Sequence, residues 1–133
     1  MKKEDYELLV RECCNRLPYG VMVVLNGIYG KLKNIEVTHY YNDTNEVQEI
    51  KAYTNFFQPN EPIDIENFKL VLRPMADMTE HEKEIEQNIV YSKKPNRTVY
   101  DFFKSRHLDY NGLIPKGIAI DSTDLGIYGN LEE

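Results

Sequence analysis

Residues 31–53 have the sequence KLKNIEVTHYYNDTNEVQEIKAY, and this stretch decides the fold class. From its start the side chains alternate with a period of two, which is typical of a β-strand. One face of that strand carries Ile35, Val37, His39 and Tyr41. The polar cluster at 42–45 indicates a turn, and residues 46–53 predict a second, more polar strand. The stretch therefore predicts a β-hairpin whose second strand lies at an edge or on a solvated face of a sheet.

A helix is predicted before the hairpin and strands are predicted on either side of it. Residues 4–17 place apolar side chains at helical spacing, and Pro18 ends that helix. The continuous apolar run at 21–25 is rich in β-branched residues, so it predicts a strand that is buried on both faces. Residues 54–67 predict a loop pinned by aromatic side chains, and residues 68–72 predict another strand.

The second half of the chain changes to helical patterns. Thr79 and Glu82 form a capping box, which predicts the start of a helix that continues to about residue 91. Thr98 can cap a third helix, which runs to about Leu108. The apolar residues at 118–120 predict a last short strand or an extended segment that docks onto the fold.

These elements predict one α+β domain that covers residues 1–133. It has an N-terminal helix, a small twisted antiparallel sheet, two C-terminal helices and a docked C-terminal segment. An SH3-like half-barrel is one form that such a curled sheet adopts. The order of the elements, with strands first and helices afterwards, separates this class from the alternating α/β class.

The composition excludes several classes of protein. The chain has 133 residues, with 16 Lys or Arg and 22 Asp or Glu, so its formal charge is −6. This negative charge disfavours a general binder of nucleic-acid backbones. No apolar run approaches the ~20 residues that cross a bilayer, and the first residues lack the apolar stretch of a signal peptide, so we expect a cytoplasmic protein without membrane contact. The adjacent Cys13 and Cys14 and three scattered histidines predict no disulfide, no metal site and no cofactor.

The segment from Arg106 to Gly112 carries the densest set of reactive side chains. His107 and Asp109 could form an acid–base pair, with Arg106 and Tyr110 beside them. The structural interpretation is favoured, because His107 near a helix C-terminus meets the negative end of the helix dipole. Asp109 suits a turn, and Gly112 supplies the positive φ with which we expect the helix to stop.

Arg73 is a second candidate, because it joins a predicted strand to a predicted helix. Its guanidinium could bind an anion near the helix start, where backbone N–H groups also point. Alternatively it pairs with an internal carboxylate, for which Asp77 and Asp109 are the candidates.

Charge is distributed unevenly in the second half. Residues 76–88 hold five acidic residues and one Lys, and we interpret the acidic cluster at 81–86 within them as a solvated helix face. Residues 93–106 hold five Lys or Arg and one Asp, with aromatic residues among them. That composition is compatible with a nucleic-acid patch. The two segments could equally attract each other or steer a partner.

Three separated strings resemble one family. They are LPYGV at 17–21, LRPM with MTE within 72–80, and HLDYNGLIPKGIA at 107–119. In this order they resemble short uncharacterised proteins from phages and prophage-like regions of gut bacteria. The resemblance covers residues 17 to about 128, although 27–67 match no motif. It implies a mobile-element origin and an intracellular location, and it implies no reaction, cofactor or catalytic residue.

Three functional hypotheses follow from these observations. The first is a non-enzymatic intracellular binding protein that acts on a host or phage protein, since no catalytic constellation was found and the chain holds ten tyrosines. The second is a small-ligand or nucleic-acid binding module that uses the curved sheet and the basic linker 93–106. The third is an enzyme built on Arg73, His107, Asp109 and Tyr110. The candidate binding residues are Arg73, Arg106, His107, Asp109 and Tyr110.

Overall fold

The computed structural model contains an N-terminal helix, a mostly antiparallel sheet and two further helices, which confirms the predicted α+β class. The structure describes residues 2–43, 45–55, 62–91 and 98–128. The elements are α1 (Lys3–Arg16), β1 (Met22–Leu25), β2 (Ile28–Asn42), β3 (Asn45–Thr54), β4 (Ile63–Asp64), β5 (Lys69–Leu72), α2 (Glu80–Val90), α3 (Val99–Ser105) and β6 (Ala119–Asp121). Contacts divide the chain into two units, Met1–Leu70 and Val71–Glu133. The single domain and the SH3-like curvature stay predictions.

The β2–β3 hairpin dominates the first unit and confirms the hairpin prediction. The two strands pair antiparallel from Leu32 and Thr54 to Asn42 and Asn45, with one register shift after Leu32. On its other side β2 pairs with β1, and β3 pairs with β4. The order of these strands is therefore β4-β3-β2-β1.

The strand predicted at 21–25 is less buried than its composition suggested. β1 begins at Met22, and Val23 within it is fully buried, whereas Val24 and Leu25 are partly exposed. The prediction of a strand buried on both faces is therefore wrong. β1 turns into β2 through Asn26 and Gly27, which both have positive φ, as a two-residue hairpin turn requires. Met22 and Val24, on the face opposite Val23, remain partly in water, and so does Leu25, which shares the face of Val23 but borders the turn.

Helix α1 ends at Arg16, just before Pro18, as predicted. Its buried face carries Leu9 and Cys13, and it also carries an ion pair that the sequence did not reveal. Arg16 Nε donates to Glu12 Oε2 over 2.7 Å, and both side chains are fully buried. One turn separates the two residues, so the helix itself brings them together.

The predicted loop at 54–67 is only partly a loop. Ile63 and Asp64 form β4, and a short 3-10 helix follows over Ile65–Asn67. Ile63 and Ile65 are both buried, so alternate side chains anchor this segment to the core. The aromatic pair at 56–57 lies outside the described residues.

The second unit packs α2 and α3 around an apolar cluster. The cluster consists of Met78, Phe102, Phe103 and Leu108, with Met75, Ile85, Ile89, Val99 and Tyr110 packed against it. The capping box is confirmed, because Thr79 Oγ1 accepts from the Glu82 N–H and Glu82 accepts from the Thr79 N–H. Thr98 caps α3 as predicted, but α3 ends at Ser105 rather than at Leu108. The predicted last strand is β6, which lies beside β5. None of the helices in the described ranges combines the length and the apolar character of a membrane span.

Candidate functional site

The five predicted site residues lie in the second unit, where two backbone segments run side by side. Arg73, just after β5, donates its N–H to the carbonyl of His107 over 2.8 Å. Its own carbonyl accepts from the Asp109 N–H, also over 2.8 Å. These two bonds form a parallel bridge between Arg73 and Leu108. The fold therefore brings together the two sequence regions that were singled out.

Arg73 forms a bidentate ion pair with Glu82 inside the protein. Nη1 donates to Oε2 over 2.8 Å, and Nη2 donates to Oε1 over 2.6 Å. The Arg73 side chain is 4% exposed and that of Glu82 is 0% exposed. Both planar groups align in the fork geometry that gives the strongest charge-assisted hydrogen bonds.

The remaining donors of Arg73 are also engaged. Its Nε contacts Asp77 Oδ2 at 3.2 Å, and its Nη2 donates to the Asp77 carbonyl at 3.1 Å. Nη1 donates to the carbonyl of Arg106 over 3.0 Å. The prediction that Arg73 pairs with Asp77 is therefore confirmed. The side chain of Arg106 approaches the same carboxylate, with its Nε 3.9 Å from Glu82 Oε2.

The electrostatics of the Arg73–Glu82 pair favour the charged forms. Burial opposes charge on Glu82, but hydrogen bonds from Arg73 and Thr79 outweigh it and hold the pKa of Glu82 below its usual value. Burial opposes charge on Arg73 as well, and the hydrogen bond and charge of Glu82 raise the pKa of Arg73. The interpretation of the acidic cluster at 81–86 as a solvated face is wrong for Glu82, because its carboxylate is buried and bound to Arg73.

The carboxylate of Asp109 accepts hydrogen bonds from backbone N–H groups and does not pair with the Arg73 side chain. Its Oδ1 accepts from the Leu113 N–H over 2.8 Å, and its Oδ2 accepts from the Ile114 N–H over 2.9 Å. Both carboxylate oxygens therefore hold a turn, as the structural interpretation of Asp109 expected. The suggested pairing of Arg73 with the Asp109 carboxylate is wrong, since these two residues are joined through the backbone instead.

His107 ends α3 and takes the position that is usually occupied by glycine. Its φ is 61°, its N–H donates to the Lys104 carbonyl, and the Leu108 N–H donates to the Phe103 carbonyl. These two bonds complete a Schellman motif with His107 as its left-handed residue. The prediction that Gly112 stops the helix is wrong. Gly112 has a φ of 73°, but it lies in a later turn.

The imidazole of His107 stacks on the ring of Tyr128. The two ring centroids are 3.9 Å apart and the planes are 9° from parallel. The Tyr128 hydroxyl donates to the carbonyl of Val71 in β5. These two contacts hold the segment around Tyr128 against the second unit.

Tyr110 belongs to an aromatic group next to the apolar cluster. Its ring centroid lies 5.4 Å from that of Tyr100 and 5.8 Å from that of Phe103. Tyr100 is largely exposed, whereas Tyr110 is half-buried. The contacts of Tyr110 are therefore those of a packing residue at the boundary of the core.

The contacts of the predicted site are those of a structural network. Arg73, Glu82 and Asp109 direct their charged groups to partners inside the second unit. Within the described ranges, no group of three or more His, Cys, Asp or Glu residues could hold a metal ion. A binding role for Arg73, Arg106, His107, Asp109 and Tyr110 stays a prediction.

A second candidate surface lies on the outer part of the β2–β3 hairpin, residues 36–49, which we call the ribbon. The side chains at 36–43, 45, 46, 48 and 49 are all exposed. They include Val37, Tyr40 and Tyr41, and the last of these is 76% exposed. The alternation of residues across the strand is as predicted, but neither face of the ribbon is covered along these positions.

The ribbon has a single sign of charge. Residues 34–50 contain four carboxylates and no Lys or Arg. Two of the carboxylates make cross-strand contacts: the Tyr40 hydroxyl donates to Glu49 over 2.9 Å, and His39 Nδ1 lies 3.4 Å from Glu46. The hydrogen bond to Glu49 raises the pKa of Tyr40. The period-two pattern predicted the strands but not this surface, although the absence of Lys and Arg from 34–50 is visible in the sequence.

An open cleft of about 530 Å³ lies at the base of the ribbon. It is lined by Lys33, Asn34, Glu36, Tyr53, Thr54 and Asn55. The cleft is adjacent to the register shift between Leu32 and Asn34, where β2 departs from regular pairing. An irregularity of this kind redirects side chains and often occurs beside binding sites.

Three comparisons with known proteins found no match. No protein-family model, no curated protein and no solved structure matches the chain. The resemblance of the three strings to phage and prophage-like proteins is neither supported nor contradicted by these comparisons, so it stays a prediction.

Proposed function

We propose that the chain is a non-enzymatic binding protein of phage or mobile-element origin, which acts in the cytoplasm on a host or phage protein. The observation that carries this proposal is the ribbon. Its side chains at 36–43, 45, 46, 48 and 49 are exposed on both faces, and they include two tyrosines and a valine. The origin is supported by the resemblance of the strings at 17–21, 72–80 and 107–119.

The physical reason is that the ribbon offers a binding surface and contributes little to the core. A two-stranded hairpin without a packed face is marginally stable in water. Burial of Val37 and Tyr41 against a partner would gain about 25 cal/mol for each Å² of apolar surface removed from water. Tyrosine is also among the residues that dominate binding energy at protein interfaces.

The contacts of the predicted site support a non-enzymatic role. Arg73 is bound to Glu82 and Asp77, and Asp109 accepts two backbone N–H groups. These groups stabilise the second unit through their charges. An enzyme would instead present such groups to a substrate.

The experiment compares two matched double variants in a capture assay. V37T/Y41S removes the exposed apolar groups of the ribbon, and V90T/Y91S makes the same changes at the end of α2. Tyr41 and Tyr91 are comparably exposed, at 76% and 83%. Tagged native chain and both variants are incubated with bacterial lysate, and the captured proteins are identified by mass spectrometry.

We expect the native chain and V90T/Y91S to capture the same protein and V37T/Y41S to lose it. Equal capture by both variants would place binding elsewhere and contradict the role of the ribbon. Absence of any captured protein above the tag-only background would contradict the proposed function. Circular dichroism confirms that each variant keeps the native fold.

A small-ligand module is the second candidate, and the cleft at the base of the ribbon favours it. The test is a thermal-shift screen of a panel of metabolites. A compound that raises the melting temperature of the native chain, and not that of a Tyr53→Ala variant, would support this candidate. Nucleic-acid binding through 93–106 is less favoured. In the described part of that segment, Lys104 pairs with Asp101, and Arg106 lies close to Glu82 and to the ring of Phe102. Residues 93–97 lie outside the described residues.

A further inference from the structure

We propose that the ribbon recognises an extended cationic segment of its protein partner, which adds as a strand to the free edge of β2. This inference rests on the proposed function and names the chemistry of the partner. Three observations carry it: the unpaired strand edge, the single sign of charge and the exposed tyrosines.

Among the described residues, most of the outer edge of β2 has no partner strand. β1 pairs with β2 only over Ile28–Lys31, at the start of the strand. Within the described ranges, no strand pairs with the outer side of β2 beyond residue 32. In an antiparallel hairpin alternate residues point their N–H and C=O groups away from the partner strand. The outer part of β2 therefore presents a row of backbone groups that an extended peptide can bind.

The negative charge of the ribbon determines that the bound peptide is positively charged. The four carboxylates of the ribbon are Glu36, Asp43, Glu46 and Glu49. One of the four lies on β2, one in the turn and two on β3, and residues 34–50 contain no Lys or Arg that would repel a cation from either strand. A second copy of the ribbon would bring eight carboxylates together, which disfavours self-pairing. An acidic peptide is excluded for the same reason.

The tyrosines add a second means of recognising cations. Tyr40 and Tyr41 are consecutive in β2, so their rings lie on opposite faces of the ribbon. A Lys or Arg on the added strand can lie over either ring and form a cation–π contact. Both faces of the ribbon can therefore contribute to binding of an extended peptide with Lys or Arg.

The test uses an eight-residue fluorescent peptide of alternating Lys and Val, and fluorescence anisotropy measures its binding to the full chain. Three further peptides are compared with it. One replaces Lys by Glu, and a second replaces Lys by Ser. The third keeps Lys and Val but carries N-methyl groups on alternate amides, which removes the donors that strand addition needs.

We expect the Lys peptide to bind and the Glu and Ser peptides to bind at least tenfold more weakly. We expect N-methylation to weaken binding about tenfold as well, because backbone pairing is lost while the charge is kept. A Lys peptide that binds equally well with and without N-methyl groups would contradict strand addition. A Ser peptide that binds as well as the Lys peptide would contradict cation recognition.

Two protein variants locate the site. E36Q/E46Q neutralises two ribbon carboxylates, and E7Q/E84Q neutralises two exposed carboxylates on α1 and α2. Since exposed ion pairs contribute little each, we expect E36Q/E46Q to weaken binding of the Lys peptide about threefold to tenfold at low salt, and E7Q/E84Q to leave it within about twofold. Equal losses in both variants would show non-specific attraction and overturn the proposal.

This experiment and the capture experiment can fail separately. If lysate capture depends on Val37 and Tyr41 but the Lys peptide does not bind, the cationic partner is wrong and the binding function stands. If sedimentation shows that the native chain dimerises and E36Q/E46Q strengthens the dimer, the occupant is a second copy. If capture is unaffected by V37T/Y41S, the partner binds elsewhere on the chain and the role of the ribbon fails, and if no protein is captured at all, the proposed function itself fails.

Discussion

Replacement of Glu82 by Gln tests whether the buried ion pair organises the second unit. The substitution keeps the shape of the side chain and one acceptor oxygen, but it removes the charge that faces Arg73. Arg73 is 4% exposed and then retains Asp77, whose side chain is 39% exposed, as its remaining carboxylate contact. Removal of one partner from a buried pair costs about 3–5 kcal/mol, because the other charge stays buried and poorly compensated.

We expect the free energy of unfolding of Glu82→Gln to fall by about 3 kcal/mol, at the lower end of that range, since the amide still accepts a hydrogen bond. For a chain of this length the melting temperature should fall by roughly 10 °C. The assay is urea unfolding followed by far-ultraviolet circular dichroism at pH 7. Glu80→Gln on the same helix is the control, and its exposed pair with Lys83 should contribute at most about 1 kcal/mol.

The pH dependence gives an independent readout of the same pair. The pKa of Glu82 is lowered by folding, so its contribution to stability is complete above the usual value of 4.5 and is lost as the pH falls through the lower folded value. We expect native protein to lose stability below about pH 4.5 more steeply than Glu82→Gln does. Equal stability of the two proteins at pH 7, or parallel acid profiles, would refute the assignment of an energetic role to this pair.

Three further predictions concern single positions. The His107→Ala variant should be less stable than His107→Gly by about 1 kcal/mol, because alanine adopts the positive φ that ends α3 less readily than glycine does. Thermal melts in which His107→Ala is the more stable of the two variants would contradict the helix end described above. The Gly112→Val substitution should lower the free energy of unfolding by about 1–3 kcal/mol through backbone strain alone, since a Cβ at this position meets nothing within 4 Å. An unchanged midpoint of urea unfolding would show that the turn relaxes without strain. Native protein should react with one equivalent of a thiol reagent, at the exposed Cys14, because Cys13 is fully buried and burial raises the pKa of its thiol. Reaction with two equivalents of the reagent in the absence of denaturant would show that α1 opens readily.

The sequence predicted those parts of the fold whose signals are local. The hairpin follows from a period-two pattern interrupted by a turn cluster, and the start of α2 follows from Thr79 and Glu82 three residues apart. Both signals are contained in one continuous stretch of sequence, so they can be recognised without knowledge of the tertiary structure. The burial of Glu82 could not be predicted in this way, because Arg73 lies nine residues away and reaches it only after β5 and α2 have formed.

The difference between local and tertiary signals also explains why the end of α3 was predicted wrongly. Gly112 gave the stronger sequence signal, since glycine adopts positive φ without cost. The helix ends earlier because Phe102, Phe103 and Leu108 all belong to the apolar cluster, and the chain must turn at His107 to bury Leu108 with the other two. Packing therefore imposes a left-handed residue where local propensity does not favour one. The ring of Tyr128 then covers the imidazole that results.

The charge of the ribbon has one competing explanation, which is protection of a free strand edge against aggregation. Charged side chains on edge strands serve that purpose, and Lys is especially common there. Protection alone does not require a single sign, because mixed charges would prevent edge pairing without mutual repulsion among Glu36, Asp43, Glu46 and Glu49. A ribbon that carries only carboxylates accepts this repulsion and rejects acidic and self partners while it attracts cationic ones. The pattern of charge therefore fits recognition of a cationic partner better than it fits protection of the edge.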